Sequence, residues 1–208
     1  MIIDPSEITK KYAKKMEYLD KVRDDSEKGL SSGYWACDEV AAEAGEPDIV
    51  PLYHELYSTV TNAFISGNTE ILRFIERISE KAGNCGIYVM YRGGDQGTMI
   101  NPPLDDERRF LVRLVGTRHL VYRGRGVKAR RLAESCPLSY AERLVKEKKG
   151  KEKHYSLKFG FLRVQLPHRS EQLYLLVFKG FGVEPLMLLT NVAMRTKRSV
   201  LRRALDAY

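Results

Sequence analysis

The feature that most constrains the fold is a short apolar run followed by two glycines, between Cys85 and Asp95. Within it, Ile87–Met90 combines large and β-branched side chains, which is typical of a strand buried on both faces. The sequence Arg92-Gly93-Gly94 then predicts a tight turn. Because α/β sheets place their chemistry at the ends of buried strands, Tyr91, between the strand and the turn, is a candidate site position.

A helix is predicted directly before this strand, over residues 68–82. Apolar side chains recur at helical spacing from Ile71 to Ala82, Asn68 or Thr69 is suited to cap the helix, and Gly83 is suited to end it. The helix and the strand together form an αβ unit.

The amino-terminal part predicts several short elements. They are a strand Met1–Asp4, a turn Pro5–Lys10, a helix Tyr12–Arg23, a loop Gly29–Gly33, a short strand Tyr34–Cys37, a turn Gly45–Pro47 and a segment Pro51–Ser58 that fits a strand or a loop.

The carboxyl-terminal part is richer in strands. The predicted strands are Phe110–Val115, His119–Arg123, Tyr155–Leu166, Leu173–Lys179 and Leu186–Thr190; the predicted helices are Val127–Ser135 and Thr196–Tyr208; and the charge run Lys146–Lys153 predicts a hairpin tip or a loop. This order of elements predicts a mixed α/β (α+β) fold.

Length and composition narrow the class of protein. A chain of 208 residues can bury one good core, so a single domain over residues 1–208 is expected. No apolar run approaches the roughly 20 residues of a membrane helix, and the amino terminus does not resemble a signal peptide, so a cytoplasmic protein without a membrane partner is expected. The three cysteines lack the spacing of a zinc site.

Charge is distributed unevenly along the chain. Residues 1–103 hold 11 Lys and Arg against 17 Asp and Glu, whereas residues 104–208 hold 24 against 10. The two parts therefore carry net charges of −6 and +14, which sum to the total of +8. The basic part indicates a polyanionic partner.

Five segments, in order, resemble the DDE transposases of bacterial insertion sequences. They are Ile2–Ile8, Pro51–Ser58, Val89–Asp95, Phe110–Val121 and Glu184–Asn191. The resemblance implies an RNase H-like core with a basic, β-strand-rich insertion over residues 104–190, and a last catalytic helix that is truncated at Tyr208. It also implies a parent activity of metal-dependent DNA cleavage and strand transfer in DNA transposition.

In that family three carboxylates hold two Mg²⁺ or Mn²⁺ ions. The resemblance places Asp4 at the first ligand and Tyr91 at the position of the second, where a neutral phenol is a poor ligand for Mg²⁺. The third ligand, a glutamate on the last helix, would lie beyond Tyr208. Asp4 would then be a residual, weak metal ligand, no metal is expected to bind, and catalytic inactivity is expected. Asp95 matches a non-catalytic aspartate of the family pattern.

The basic part supplies candidate DNA contacts, because the guanidinium group pairs with two phosphate oxygens at once. The candidates are Arg92, Arg113, Arg118, Arg123, Arg125, Arg130 and Arg131. The expected partners are DNA, bound weakly and without sequence preference, and an intact transposase. The alternative is a non-enzymatic DNA-binding protein that regulates transposition.

Overall fold

The computed structural model of the chain describes residues 1–24, 26–43, 48–148 and 151–199. The chain divides into two compact units, Met1–Tyr88 and Val89–Tyr208. The fold is mixed α+β, as predicted, with few helices among the described residues. The single domain expected over residues 1–208 stays a prediction.

The secondary-structure elements have the following bounds. The strands are β1 (Ile2–Thr9), β2 (Asp20–Asp24), β3 (Gly29–Ala42), β4 (Ile49–Tyr57), β5 (Tyr88–Met90), β6 (Phe110–Arg113), β7 (His119–Tyr122), β8 (Arg125–Lys128), β9 (Tyr140–Lys148), β10 (Lys151–Val164), β11 (Leu173–Lys179) and β12 (Leu186–Thr190). The helices are α1 (Gly67–Ala82), α2 (Gly97–Asp105) and α3 (Ala129–Ser135), and a 3₁₀ turn spans Arg92–Gly94.

In the first unit, the long strand β3 is the centre of an antiparallel sheet. β1 pairs with one edge of β3, from Ile2 opposite Val40 to Thr9 opposite Gly33. β2 and then β4 pair with its other edge. A strand of 14 residues is long enough to hold two short neighbours in sequence along one edge.

The expected end of the first strand at Asp4 is wrong, as is the expected turn over Pro5–Lys10, because β1 continues to Thr9. Pairing with β3 along its whole length explains the extension, since each added residue gains ladder partners that the isolated sequence does not reveal. The loop predicted at Gly29–Gly33 is likewise wrong, because this stretch belongs to β3.

The predicted helix Tyr12–Arg23 is also wrong, because its last residues form β2. Asp20, Val22 and Asp24 are buried and alternate with exposed residues, which is the period of a strand. The Asp20 carboxylate accepts hydrogen bonds from the backbone N–H of Thr59 at 2.8 Å and from its hydroxyl at 2.6 Å. A tertiary contact between distant residues therefore overrides the weak helical pattern.

Helix α1 confirms the predicted helix and its end. Ser66, rather than Asn68 or Thr69, is the N-cap, and its hydroxyl accepts the Thr69 N–H at 3.1 Å. Gly83 ends the helix in the left-handed conformation, with φ of 62°. The buried Phe74 packs on the rings of β4, 5.5 Å from Tyr53 between centroids.

In the second unit, the strand order is β5-β6-β12-β11-β10-β9, and β7 pairs with β8 in a separate two-stranded ribbon. The strands predicted at Leu173–Lys179 and Leu186–Thr190 are confirmed, and the second is buried throughout. The charge run predicted as a hairpin tip or loop falls mostly in strands, with Lys148 opposite Lys151. Residues 149 and 150 lie outside the described residues.

Two helices of this unit differ from expectation. α2 was not predicted, because Pro102 and Pro103 indicate a boundary, yet both lie inside the helix. The helix predicted from Val127 starts at Ala129, because Arg125–Lys128 pairs with β7 as β8.

The helix predicted over Thr196–Tyr208 is described only at its start. The Thr196 hydroxyl caps it by accepting the Ser199 N–H at 3.1 Å, and residues 200–208 lie outside the described residues, as does the whole of the predicted turn Gly45–Pro47. Within the described part of the chain, no helix combines the length and the apolar character that crossing a membrane requires.

Candidate functional site

Asp4 lies on the exposed face of the first unit's sheet. The register places it opposite Asp38 of β3, which in turn lies opposite His54 of β4. Asp38 Oδ1 is 2.6 Å from His54 Nδ1. Asp4 therefore belongs to a row of three polar side chains across three strands, with two like charges directly opposite each other.

The next residue of β3, Glu39, points to the other face and is buried, with a relative exposure of 1%. Neither of its carboxylate oxygens has a hydrogen-bond partner in the described part of the chain. Burial raises the pKa of Glu39 to about 7. The nearby Cys37 thiol is also buried, and burial together with the negative charge of Glu39 raises its pKa to about 12.

The sequence reasoning did not single out Glu39. Alternation along a strand was the available signal, because a glutamate two residues from a buried cysteine on one strand falls on the same face.

Tyr91 directly follows β5, as predicted, and 48% of it is exposed. Its carbonyl accepts the Gly94 N–H at 2.9 Å, which closes the predicted turn. A Cβ atom at Gly93 would overlap the Tyr91 ring, so a larger residue at this position would displace the ring. The phenol thus stands at the end of the buried strand.

Asp95 follows the turn and is buried, and it is held by Arg118. The Asp95 carboxylate accepts the Arg118 Nε–H at 2.5 Å and the Val115 N–H at 2.6 Å, while the Asp95 carbonyl accepts a second guanidinium N–H. The Asp95 side chain is 1% exposed and that of Arg118 is 22% exposed. Arg118 was predicted to contact DNA, but its guanidinium group is mostly buried and is bonded to Asp95 within the second unit.

The other predicted DNA contacts are spread over four elements. Arg92 lies in the 3₁₀ turn; Arg113 is exposed at the end of β6; Arg123 and Arg125 lie at the turn between β7 and β8; and Arg130 and Arg131 are exposed on α3. Arg130 pairs with Glu184 at 3.0 Å and lies 3.6 Å from Glu134.

The described residues do not fit a two-metal centre. Among them, no group of three or more His, Cys, Asp or Glu side chains could hold a metal ion. Asp4 has a carboxylate, but Asp38 is already paired with His54, and Tyr91 offers a phenol where hard divalent cations require charged oxygen ligands.

No protein-family model and no curated protein sequence matches the chain. Among solved structures, the piggyBac transposase in its synaptic complex with hairpin DNA, determined by cryo-EM, is similar to this chain with a TM-score of 0.48 and 10% sequence identity. The similarity covers 96% of this chain and 35% of that chain, so this chain spans about a third of the length of that transposase.

Proposed function

We propose that the chain is a transposase-derived protein that associates with DNA and does not cut it unaided. The proposal is based on the five segments that resemble DDE transposases. These segments occur along the chain in the same order as in the family. It also draws on the positive charge of residues 104–208, which suits a phosphate backbone.

The observation that carries the proposal is Tyr91. It directly follows β5. The resemblance assigns this position to the second catalytic aspartate of the family. A phenol brings neither the negative charge nor the paired oxygens with which a carboxylate binds Mg²⁺ or Mn²⁺. With this ligand replaced, Asp4 alone is too weak a ligand set to draw Mg²⁺ from its hydration shell.

A non-enzymatic role in regulation is the second candidate, favoured by the same combination of a basic segment and a missing carboxylate. Such a protein would act by occupying transposon ends or by pairing with an intact transposase. Both candidates predict DNA binding without cleavage and differ in whether an intact transposase is bound.

A nicking assay tests the proposal. Purified chain is incubated with supercoiled plasmid at millimolar Mg²⁺ or Mn²⁺, beside Asp4→Ala and Tyr91→Phe variants. The expected result is equal, background nicking by all three proteins, together with retarded migration of the plasmid at low salt. Nicking by the unchanged chain that Asp4→Ala abolishes would overturn the proposal, and a change caused by Tyr91→Phe would show that the phenol takes part.

A further inference from the structure

The second unit contains a basic stretch that has no acidic residue. Residues 108–133 contain nine Lys or Arg residues and no Asp or Glu. This stretch includes β6, the β7–β8 ribbon and the first turn of α3. The cations that are not already paired with a carboxylate of the chain are the ones that can contact a partner.

The β7–β8 ribbon is a tight hairpin with a defined base. His119 pairs with Lys128 at one end and Tyr122 with Arg125 at the other. Arg123 and Gly124 form the turn with φ of 51° and 75°, both left-handed, which is the two-residue hairpin geometry that follows the twist of the strands.

The first strand of the ribbon is also held to the residue that follows β10. Val121, which lies opposite Gly126, and Gln165 exchange backbone hydrogen bonds of 2.8 and 3.0 Å. Leu120, one residue nearer the base, is fully buried. The tip therefore extends from a strand that is paired on both edges and anchored by a buried leucine.

The tip itself is exposed and open. Residues 123–126 are all exposed, and a Cβ atom at Gly124 or Gly126 would meet no atom within 4 Å. The guanidinium of Arg123 lies 5.1 Å from the centroid of the Tyr122 ring, so a cation covers the aromatic face. Two arginines and two glycines therefore form a narrow, positive tip.

A second set of cations lies beside the ribbon. Lys128, Arg130 and Arg131 line a cavity of about 380 Å³ together with Thr117 and one carboxylate, that of Glu134, which lies 3.6 Å from Arg130. The Ala129 and Arg130 N–H groups at the start of α3 already donate to the carbonyls of Arg118 and Gly116, at 2.7 and 3.1 Å. An anion in this cavity would therefore be bound by side chains.

The cations differ in how far they are already paired. Arg118 is bound to Asp95, and Arg130 is paired with Glu184. In the described ranges, by contrast, no carboxylate lies within ion-pair distance of Arg123, Arg125, Lys128 or Arg131. These four cations are available to an external anion.

We propose that the β7–β8 ribbon enters a groove of double-stranded DNA, with Arg123 and Arg125 at its tip, while Lys128 and Arg131 contact backbone phosphates beside it. This inference rests on the proposed association with DNA and assigns it to one element. The major groove admits a two-stranded ribbon, and the glycines let the backbone approach closely. Single-stranded nucleic acid is favoured by exposed aromatic faces, whereas the Tyr122 face is covered.

Fluorescence anisotropy with a mixed-sequence duplex, and with a single strand of the same length, tests the inference over a series of salt concentrations. Arg123→Asn combined with Arg125→Gln removes both tip charges, and asparagine tolerates the left-handed turn. Lys128→Gln combined with Arg131→Gln removes the phosphate contacts. The matched control, Arg143→Gln combined with Arg163→Gln, removes two exposed charges from β9 and β10.

Each ribbon-side double variant is expected to bind the duplex roughly tenfold more weakly or worse. The Lys128 and Arg131 variant, which loses two phosphate contacts, should reduce the salt slope by up to about 1.8, or about 0.9 per lost contact, and the tip variant should reduce it by less. The control variant should bind like the unchanged chain, which should prefer the duplex. Gly126→Val adds bulk at the tip without changing charge, and it should weaken duplex binding while leaving the thermal midpoint unchanged.

Two failures are distinct. If the unchanged chain binds duplex DNA but the ribbon-side variants bind as the control does, the ribbon is not the contact and the inference is overturned while DNA association stands. A preference for the single strand would also overturn it. If the unchanged chain binds no DNA at low salt, the proposed function fails as well.

Discussion

Two of the buried carboxylates, Glu39 in the first unit and Asp95 in the second, differ in their hydrogen bonding. Asp95 in the second unit receives a guanidinium N–H and a backbone N–H, and its side chain is 1% exposed. Glu39 in the first unit is 1% exposed, and among the described residues neither of its oxygens has a hydrogen-bond partner. Both carboxylates are buried, but among the described residues only the Asp95 carboxylate has hydrogen bonds that replace those it would make with water.

The difference shows what each carboxylate does for its unit. The hydrogen bonds of the Asp95 carboxylate fix the loops that meet at it, the turn after Tyr91 and the segment from Val115 to Arg118. The Glu39 carboxylate is buried without such partners among the described residues, and burial raises its pKa to about 7. Asp95 thus has a structural role, whereas Glu39 couples the stability of its unit to pH.

Breaking the Asp95 pair is expected to have the largest effect. Arg118→Ala leaves a buried, uncompensated carboxylate and should lower the free energy of unfolding by about 3–4 kcal/mol. Urea denaturation would measure it. The control Arg125→Ala, at the exposed ribbon tip, should change stability by less than about 0.5 kcal/mol. Equal, small effects of both variants would contradict a structural role for the pair.

The pH dependence of stability tests the role of the unpaired carboxylate, Glu39. The folded-state pKa of Glu39, about 7, exceeds its unperturbed value of 4.5, so the folded state holds the proton more tightly. Its contribution to stability is complete below about pH 4.5 and is lost as the pH rises through 7, roughly 3–4 kcal/mol in all, of which about 2–3 kcal/mol falls between pH 5 and pH 8. Urea midpoints at pH 5 and pH 8 would measure the loss.

Glu39→Gln should flatten this dependence, because glutamine does not titrate. Glu7→Gln, which removes an exposed carboxylate from β1, is the matched control and should keep it. A steep dependence that persists in Glu39→Gln would assign the titration to another group.

The smallest effect is expected at an ion pair on the surface. Arg130 and Glu184 are 3.0 Å apart, but their side chains are 59% and 66% exposed. Solvent screens such a pair, so Arg130→Gln should cost no more than about 0.5 kcal/mol in urea denaturation. If Arg130→Gln lowered the free energy of unfolding as much as Arg118→Ala does, burial would not explain the difference between the two ion pairs.

Local patterns predicted much of the fold. α1 and β5 follow from an apolar stripe ended by a glycine and a compact apolar run, and β11 and β12 follow from continuous apolar runs. These signals lie within a few residues and do not depend on distant partners.

The elements and contacts that the sequence did not predict depend on residues that are distant along the chain. β2 is held by a contact between Asp20 and Thr59, and β1 is extended by its register with β3. The pairing of Arg118 with Asp95, 23 residues away, cannot be read from either residue alone. The same holds for the row from Asp4 to His54, which exists only through strand register.

The central claim is that, with a tyrosine at position 91, the chain has no working metal site, and Mn²⁺ binding tests it most directly. Electron paramagnetic resonance would follow free Mn²⁺ during titration of the chain, of Asp4→Asn and of Tyr91→Asp. The unchanged chain and Asp4→Asn should show the same absence of saturable binding up to millimolar Mn²⁺, and Tyr91→Asp should bind measurably more tightly, because it restores a charged oxygen ligand. Saturable submillimolar binding by the unchanged chain that Asp4→Asn abolishes would contradict the claim.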